Sequence, residues 1–300
     1  MNKNDRREFL DLVSVTKAKK IIQENFLWAP SVEILSLDKA KRRILTKDII
    51  AKIDTPPFDR SLMDGFAVRA KDTFEIDETN PRIFRIIDTV PAGKISNKSI
   101  QNSFECIKIA TGAPIPLGAN AVVMVEYTSE KQDNTVEIYK PVSPYENIDP
   151  SGSDIMYGET ILRKGDILNS VRLGILASLG IEHVDVQSKL KVGILSSGDE
   201  IRSPGHKLSP GCLYDSNSTV IANLVEESGG VPQFLGISPD NLDIIRNIIS
   251  TNLKKVDIIL ISGGTSAGEG DFSYRVIDEL GGKLLFHGVS MKPGKPLATG

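Results

Sequence analysis

Five carboxylates and two lysines between residues 199 and 295 of this 300-residue sequence stand beside loops built from small residues. The first loop reads Ser196-Ser-Gly-Asp-Glu200, and the second reads Ser262-Gly-Gly-Thr-Ser-Ala-Gly-Glu-Gly-Asp271. Four glycines within ten residues let successive backbone N–H groups turn toward one point. A helix beginning at Asp271 adds its positive end, and the combination suits a phosphate or similar oxyanion. Neither loop carries the Walker or dinucleotide pattern. The segment Met291-Lys-Pro-Gly-Lys-Pro296 offers the ammonium groups of Lys292 and Lys295 on a chain stiffened by two prolines, again suited to a fixed oxyanion. Asp199, Glu200, Asp215, Asp240 and Asp271 lie around the same loops. Helix capping accounts for one or two such acids. The full set would repel a phosphate unless a cation bridged them, and oxygen-only donors suit Mg²⁺.

Positioning these loops requires strands that end at them. Apolar runs at Lys191–Leu195, Val231–Ile237, Val256–Ile261 and Lys283–Phe286 alternate with helical patterns near Ser216–Glu227, Asn241–Asn252 and Asp271–Leu280. Such alternation predicts a mostly parallel α/β sheet, whose ligands bind beyond the carboxyl ends of the strands. Upstream, the pattern predicts β-rich pieces at Ile83–Val90, Cys106–Ala110, Ala121–Val125 and Val136–Tyr139, separated by turn residues. The segment Thr55–Val68 reads as a rigid diproline loop presenting Asp59 and Asp64, and Ala110–Pro114 as a turn presenting the Thr111 hydroxyl. At the start, Val15, Ala18, Ile21, Ile22 and Phe26 recur with helical period behind a Ser14 N-cap, so a helix with an apolar stripe opens the fold.

Composition narrows the function classes. With 36 Lys+Arg against 39 Asp+Glu the net charge is −3, which gives no basic excess for nucleic acid. No apolar run approaches the ~20 residues of a membrane-spanning helix. The charged opening MNKNDRREFLDLV lacks a signal-peptide core, so the expected location is cytoplasmic. Two cysteines, Cys106 and Cys212, stand apart from each other and from the three histidines, which supports neither a disulfide framework nor a Cys/His zinc site.

Seven segments, in order, resemble the molybdopterin molybdenumtransferase (MoeA-type) family and the related E domain of gephyrin. They are PPFDRSLMDGFAV from Pro56, ATGAPIPLGANAVVMVE from Ala110, the stretch from Glu146 through Gly152-Ser-Asp154 to Glu159, SSGDEI from Ser196, LYDSN from Leu213, SGGTSAGEGDF from Ser262 and MKPGKP from Met291. The resemblance implies a multidomain α/β plus β fold. Elongated β-rich N-terminal domains would accompany a mostly parallel three-layer α/β domain, and the family's C-terminal β-barrel would lie beyond this chain. The implied division is an N-terminal helix over 1–26, a discontinuous linking domain over 27–50 and 146–170, a small β domain over 51–145, and the α/β domain over 171–300.

The implied reaction is insertion of molybdate into adenylylated molybdopterin with Mg²⁺-dependent release of AMP. By motif position, Glu200, Asp240 and Asp271 would bind the metal and the pyrophosphate, with Asp64 as a further catalytic acid. Thr111 and Asp154 would contribute from the N-terminal half. Ser197, Gly198, Gly263, Gly264, Ser266 and Gly268 would cradle nucleotide and phosphates, and Lys292 and Lys295 would hold molybdate. Members of this family are homodimers with shared sites, and a molybdopterin adenylyltransferase would supply the substrate. The chain departs from the pattern at Asp149-Pro-Ser-Gly-Ser-Asp154, where many relatives carry a basic segment, and at Gly288, where some carry a lysine. The alternatives are a gephyrin-E-like scaffold and an adenylyltransferase-like activity of the α/β segment. Tungstate in place of molybdate would use the same groups.

Overall fold

The computed structural model describes residues 12–26, 29–263, 273–292, 294 and 296–300. The chain divides into two compact units, Met1–Glu33 with Gln187–Gly300, and Ile34–Val186. Ser14 opens helix α1 (Val15–Asn25) by accepting the Lys17 N–H. Ala18 and Ile21 pack against Phe286 and Val289, which gives the predicted stripe its partner within the first unit. That packed line is narrower than the expected stripe, since Val15 is 40% and Phe26 45% exposed.

The unit Ile34–Val186 is built on six strands: β1 (Gly65–Val68), β2 (Arg82–Val90), β3 (Glu105–Ile109), β4 (Ala121–Met124), β5 (Thr128–Glu130) and β6 (Thr135–Ile138). Their order is β4-β1-β3-β2-β6-β5, antiparallel except between β2 and β3. Side chains alternate across this sheet, as a two-residue period requires. Phe66, Val68, Phe84, Cys106, Val123 and Val136 fill one core, while Ala67, Val90, Ile107, Ile109 and Val122 fill another.

Strand β1 corrects the reading of Thr55–Val68 as loop throughout. It is central and buried at every position, so Gly-Phe-Ala-Val shows no apolar/polar alternation to mark it. Gly65 permits the pairing, because a Cβ there would stand 2.0 Å from the Val123 carbonyl oxygen.

A third core in the same unit joins Leu45, Ile49, Leu162 and Leu168 to Leu176 of α2 (Ser170–Ser178) and to Val184 and Val186 of the strand His183–Gln187. Helix α2 buries its apolar side with the preceding segments, and the boundary of this compact unit falls between Val186 and Gln187.

The other unit holds a three-stranded parallel sheet. Strand β7 (Lys191–Ser197) lies between β8 (Val231–Ser238) and β9 (Ile258–Ser262), with Ile194 opposite Phe234 and Leu260. Helix α3 (Asn217–Glu227) runs along β7 and β8. Helices α4 (Leu242–Asn252) and α5 (Ser273–Glu279) cover Leu195, Leu235, Ile259 and Ile261 through Ile245, Ile249 and Val276. The fourth parallel strand predicted at Lys283–Phe286 is instead a two-residue strand, Phe286–His287, antiparallel to Ala298–Thr299. No helix among the described residues is long and apolar enough to cross a membrane.

Candidate active site

The central strand β7 is buried from Val192 to Ser197, and its last two residues are serines. A hydroxyl buried at a strand end needs a partner, and both serines find a carboxylate. Ser196 Oγ donates to Asp215 Oδ2 at 2.7 Å. Ser197 Oγ donates to Asp240 Oδ1, also at 2.7 Å, which draws the residues following β7 and β8 together. The Gly198 N–H donates to the Ser238 carbonyl at 3.1 Å, and the Asp240 N–H reaches Asp199 Oδ1 at 3.3 Å. The loop is thereby stitched to the end of β8 by backbone and side chain alike.

Asp215 anchors the start of α3 from below. It is 4% exposed and accepts the Ser218 N–H at 3.0 Å. Burial pushes its carboxyl upward, but donation from the Ser218 N–H, the Ser196 hydroxyl and the Asn217 N–H outweighs this, and the net shift is downward. Asp215 therefore stays ionised in a nearly closed pocket, facing the positive end of a helix. Asn217 Nδ2 continues the seam by donating to Ser262 Oγ at 2.9 Å, which brings in the end of β9. Gly263 follows with φ 107°, where a Cβ would stand 2.1 Å from the Ser197 carbonyl oxygen. The ends of all three strands thus converge on one rim.

Of the residues expected in the site, Ser197, Gly198, Asp240 and Gly263 share this rim, and Glu200 leads away from it with its carbonyl accepting the Leu213 N–H. Lys292 is exposed, just beyond a bend in which the Met291 N–H donates to the Val289 carbonyl. Gly264, Ser266, Gly268, Asp271 and Lys295 lie outside the described residues. Among the described residues no group of three acidic, histidine or cysteine side chains is gathered for a metal.

In the other unit, Asp64 and Thr111 form a pair. Asp64 Oδ1 accepts the Thr111 N–H at 2.7 Å and its hydroxyl at 3.1 Å, and these donations hold the carboxyl below the usual range. Asp154 is held differently, through its N–H to the Thr55 carbonyl at 2.9 Å, with no hydrogen bond to that pair among the described residues. A small apolar cavity of about 230 Å³ opens beside Asp64, lined by Phe66, Val90, Pro91 and Ile109. Sequence reasoning noted Asp215 among the acids but did not place it in the site, and it missed Ser196 and Asn217. The signal available was their position, directly after one strand and directly before the first turn of a helix.

Two family profiles match the chain. "MoeA N-terminal region (domain I and II)" covers residues 13–180, and "Probable molybdopterin binding domain" covers 193–300. The molybdopterin molybdenumtransferase of Bacillus subtilis is 37% identical over 87% of this chain, and that of Haemophilus influenzae 34% identical over 96%. The chain spans 61% and 70% of the length of these two relatives. The crystal structure of a molybdopterin biosynthesis MoeA protein from Pyrococcus horikoshii superposes with a TM-score of 0.84 at 35% identity, over 96% of this chain and 71% of that one. With both profiles matched in order and the fold shared along nearly its whole length, the chain belongs to the MoeA family.

Proposed function

We propose that the chain acts in molybdenum cofactor biosynthesis as a molybdopterin molybdenumtransferase, placing molybdate on adenylylated molybdopterin with release of AMP. The observation that carries the reading is the Ser197–Asp240 hydrogen bond, which joins two expected site residues from neighbouring strand ends within the segment matched by the molybdopterin-binding profile. In the finer arrangement, helices on both faces of the parallel sheet make a three-layer unit. The active form is a homodimer in which Asp64, Thr111 and Asp154 serve the site of the partner subunit. A molybdopterin adenylyltransferase supplies the substrate in the cytoplasm.

The chain's own groups divide the work. The Gly198 loop and Gly263 keep the strand-end backbone close enough to line a phosphate group. Ser197 orients the Asp240 carboxylate by occupying one of its oxygens. Glu200 and Asp240 are oxygen donors of the kind a magnesium ion takes, and with Asp271 they would hold it. There it would offset charge on the departing phosphate. Lys292 and Lys295 compensate the charge of molybdate, and the attack on phosphorus comes from a molybdate oxygen or water, so no covalent protein nucleophile is needed.

The test is AMP release from adenylylated molybdopterin, measured with and without molybdate and Mg²⁺. Release that requires both supports the reading. Release independent of molybdate would point to simple hydrolysis, and no release would move the weight to a scaffold role.

A further inference from the structure

The expected site residues of the unit Ile34–Val186 are all tied to one short strand, Arg60–Ser61. On one side the Ser61 N–H donates to the Ala113 carbonyl at 2.9 Å, and the Ser61 carbonyl accepts the Gly112 N–H at 2.8 Å, directly after Thr111. On the other side the strand runs antiparallel to Ile148–Asp149, with Arg60 opposite Asp149. The chain that leaves Ser61 reaches Asp64, and the chain that leaves Asp149 reaches Asp154. The strand therefore lies between the turn that carries Thr111 and the stretch that carries Asp154.

Charge fastens the second side. Arg60 Nε and Nη2 both donate to Asp149 Oδ2, at 2.9 and 2.8 Å, and Ser153 Oγ donates to Asp149 Oδ1 at 2.6 Å. Both carboxylate oxygens are engaged, one across the strands and one within the following turn. The Asp149 side chain is only 17% exposed, so this charge-assisted pair is screened less than one on the open surface. The backbone continues the same seam. The Ser151 N–H donates to Asp59 Oδ1 at 2.8 Å, the Gly152 N–H to the Pro56 carbonyl at 2.9 Å, and the Asp154 N–H to the Thr55 carbonyl at 2.9 Å. Among the described residues no hydrogen bond holds the Asp154 carboxylate itself, so its place is set by the backbone that carries it.

We propose that Arg60 and Asp149 are positioning residues whose ion pair, with Ser153, clips the stretch Asp149–Asp154 to the strand Arg60–Ser61 and so fixes Asp154 relative to the Asp64–Thr111 pair. The inference rests on the proposed function for its view of those three as site groups. The clip itself stands on its hydrogen bonds.

The experiment measures AMP release from adenylylated molybdopterin by the full chain, with KM and kcat separated, and follows amide exchange by peptide mass spectrometry. Arg60→Gln should raise KM about five- to tenfold and leave kcat within about twofold, because a loosened binding group weakens substrate capture. Asp154→Asn should raise KM as well. Adding Arg60→Gln to Asp154→Asn should then change KM by less than about twofold, since a residue that acts through Asp154 has nothing left to position. In Arg60→Gln, peptides covering 149–157 should exchange at least about fivefold faster, while those covering 121–124 keep the parent rate. Lys47→Gln, which breaks the Lys47–Asp185 ion pair of the same unit at 2.7 Å, should match the parent in KM. The melting temperature establishes that each variant is folded.

A KM within twofold of the parent in Arg60→Gln, or effects of Arg60→Gln and Asp154→Asn that multiply in the double variant, would overturn the positioning role. Unchanged exchange over 149–157 would overturn the clip. A parent that releases no AMP, with exchange over 149–157 nonetheless faster in Arg60→Gln, would sink the transferase reading and leave the clip standing. Release by the parent, with Arg60→Gln at the parent's KM and exchange rate, would do the reverse.

Discussion

Two serine–aspartate bonds sit side by side at the end of β7, and their surroundings give them different work. Asp240 is bonded to Ser197 through one oxygen on the open side of the strand end, whereas Asp215 is almost wholly enclosed. Replacing Asp240 by Asn keeps the shape and removes the charge. It should lower Mg²⁺-dependent AMP release by about 10²-fold while leaving the melting temperature nearly unchanged. A rate within twofold of the parent would remove Asp240 from the chemistry. Asp215→Ala should behave in the opposite way, because it strands the Ser196 hydroxyl and the Ser218 N–H without an acceptor. The expected loss is about 2–3 kcal/mol of stability in chemical denaturation, and an unchanged midpoint would show that water replaces the carboxylate. Sequence alone placed both acids near strand ends. It could not tell them apart, because burial is set by what packs around them.

Elements differ in how plainly the sequence announces them, and the reason is periodicity. The strands β2, β3, β4 and β6 fall within one residue of expectation because turn residues bound them, and α3 and α4 do so because Ser216 and Asn241 stand just before them. Strand β1 was invisible because it is buried on both faces. The predicted fourth parallel strand misread a short antiparallel pairing, since a brief apolar run does not reveal its direction. Asn241 caps α4 through its side-chain oxygen on the Ile244 N–H at 3.2 Å. Asn241→Ala should cost about 1 kcal/mol, read as a shift in denaturation midpoint. Gly263 is the sharper case at this scale, because both its positive φ and the nearby Ser197 carbonyl forbid a side chain. Gly263→Ala should cost about 1–3 kcal/mol and disturb the Ser197–Asp240 bond, lowering AMP release as well. A stable, fully active Gly263→Ala protein would mean that β7 and β9 separate more easily than their register suggests.

At the scale of the whole chain, each unit closes its own cores, so the two should respond separately to a local lesion. Glu105 provides the lesion for the unit Ile34–Val186. Its carboxylate accepts Asn102 Nδ2 and the N–H groups of Asn102 and Gln101, and it pairs with Arg85. The Asn102 side chain and backbone lead in holding its pKa down to about 2, and Arg85 adds to them, against burial. A folded-state pKa below the ordinary 4.5 means that the unfolded chain binds the proton more tightly. The stabilisation is therefore complete above about pH 4.5 and is lost as pH falls from there through about 2. Glu105→Gln discards the charge and should destabilise this unit by about 1–3 kcal/mol at pH 7. It should also flatten the unit's acid dependence between pH 4.5 and 2. Hydrogen exchange followed by peptide mass spectrometry separates the units. Peptides from 82–138 should lose protection in the variant, while those from 191–262 keep theirs. Equal loss in both sets would show that the two units unfold as one, and an acid profile unchanged from the parent would show that Glu105 is not the group that titrates.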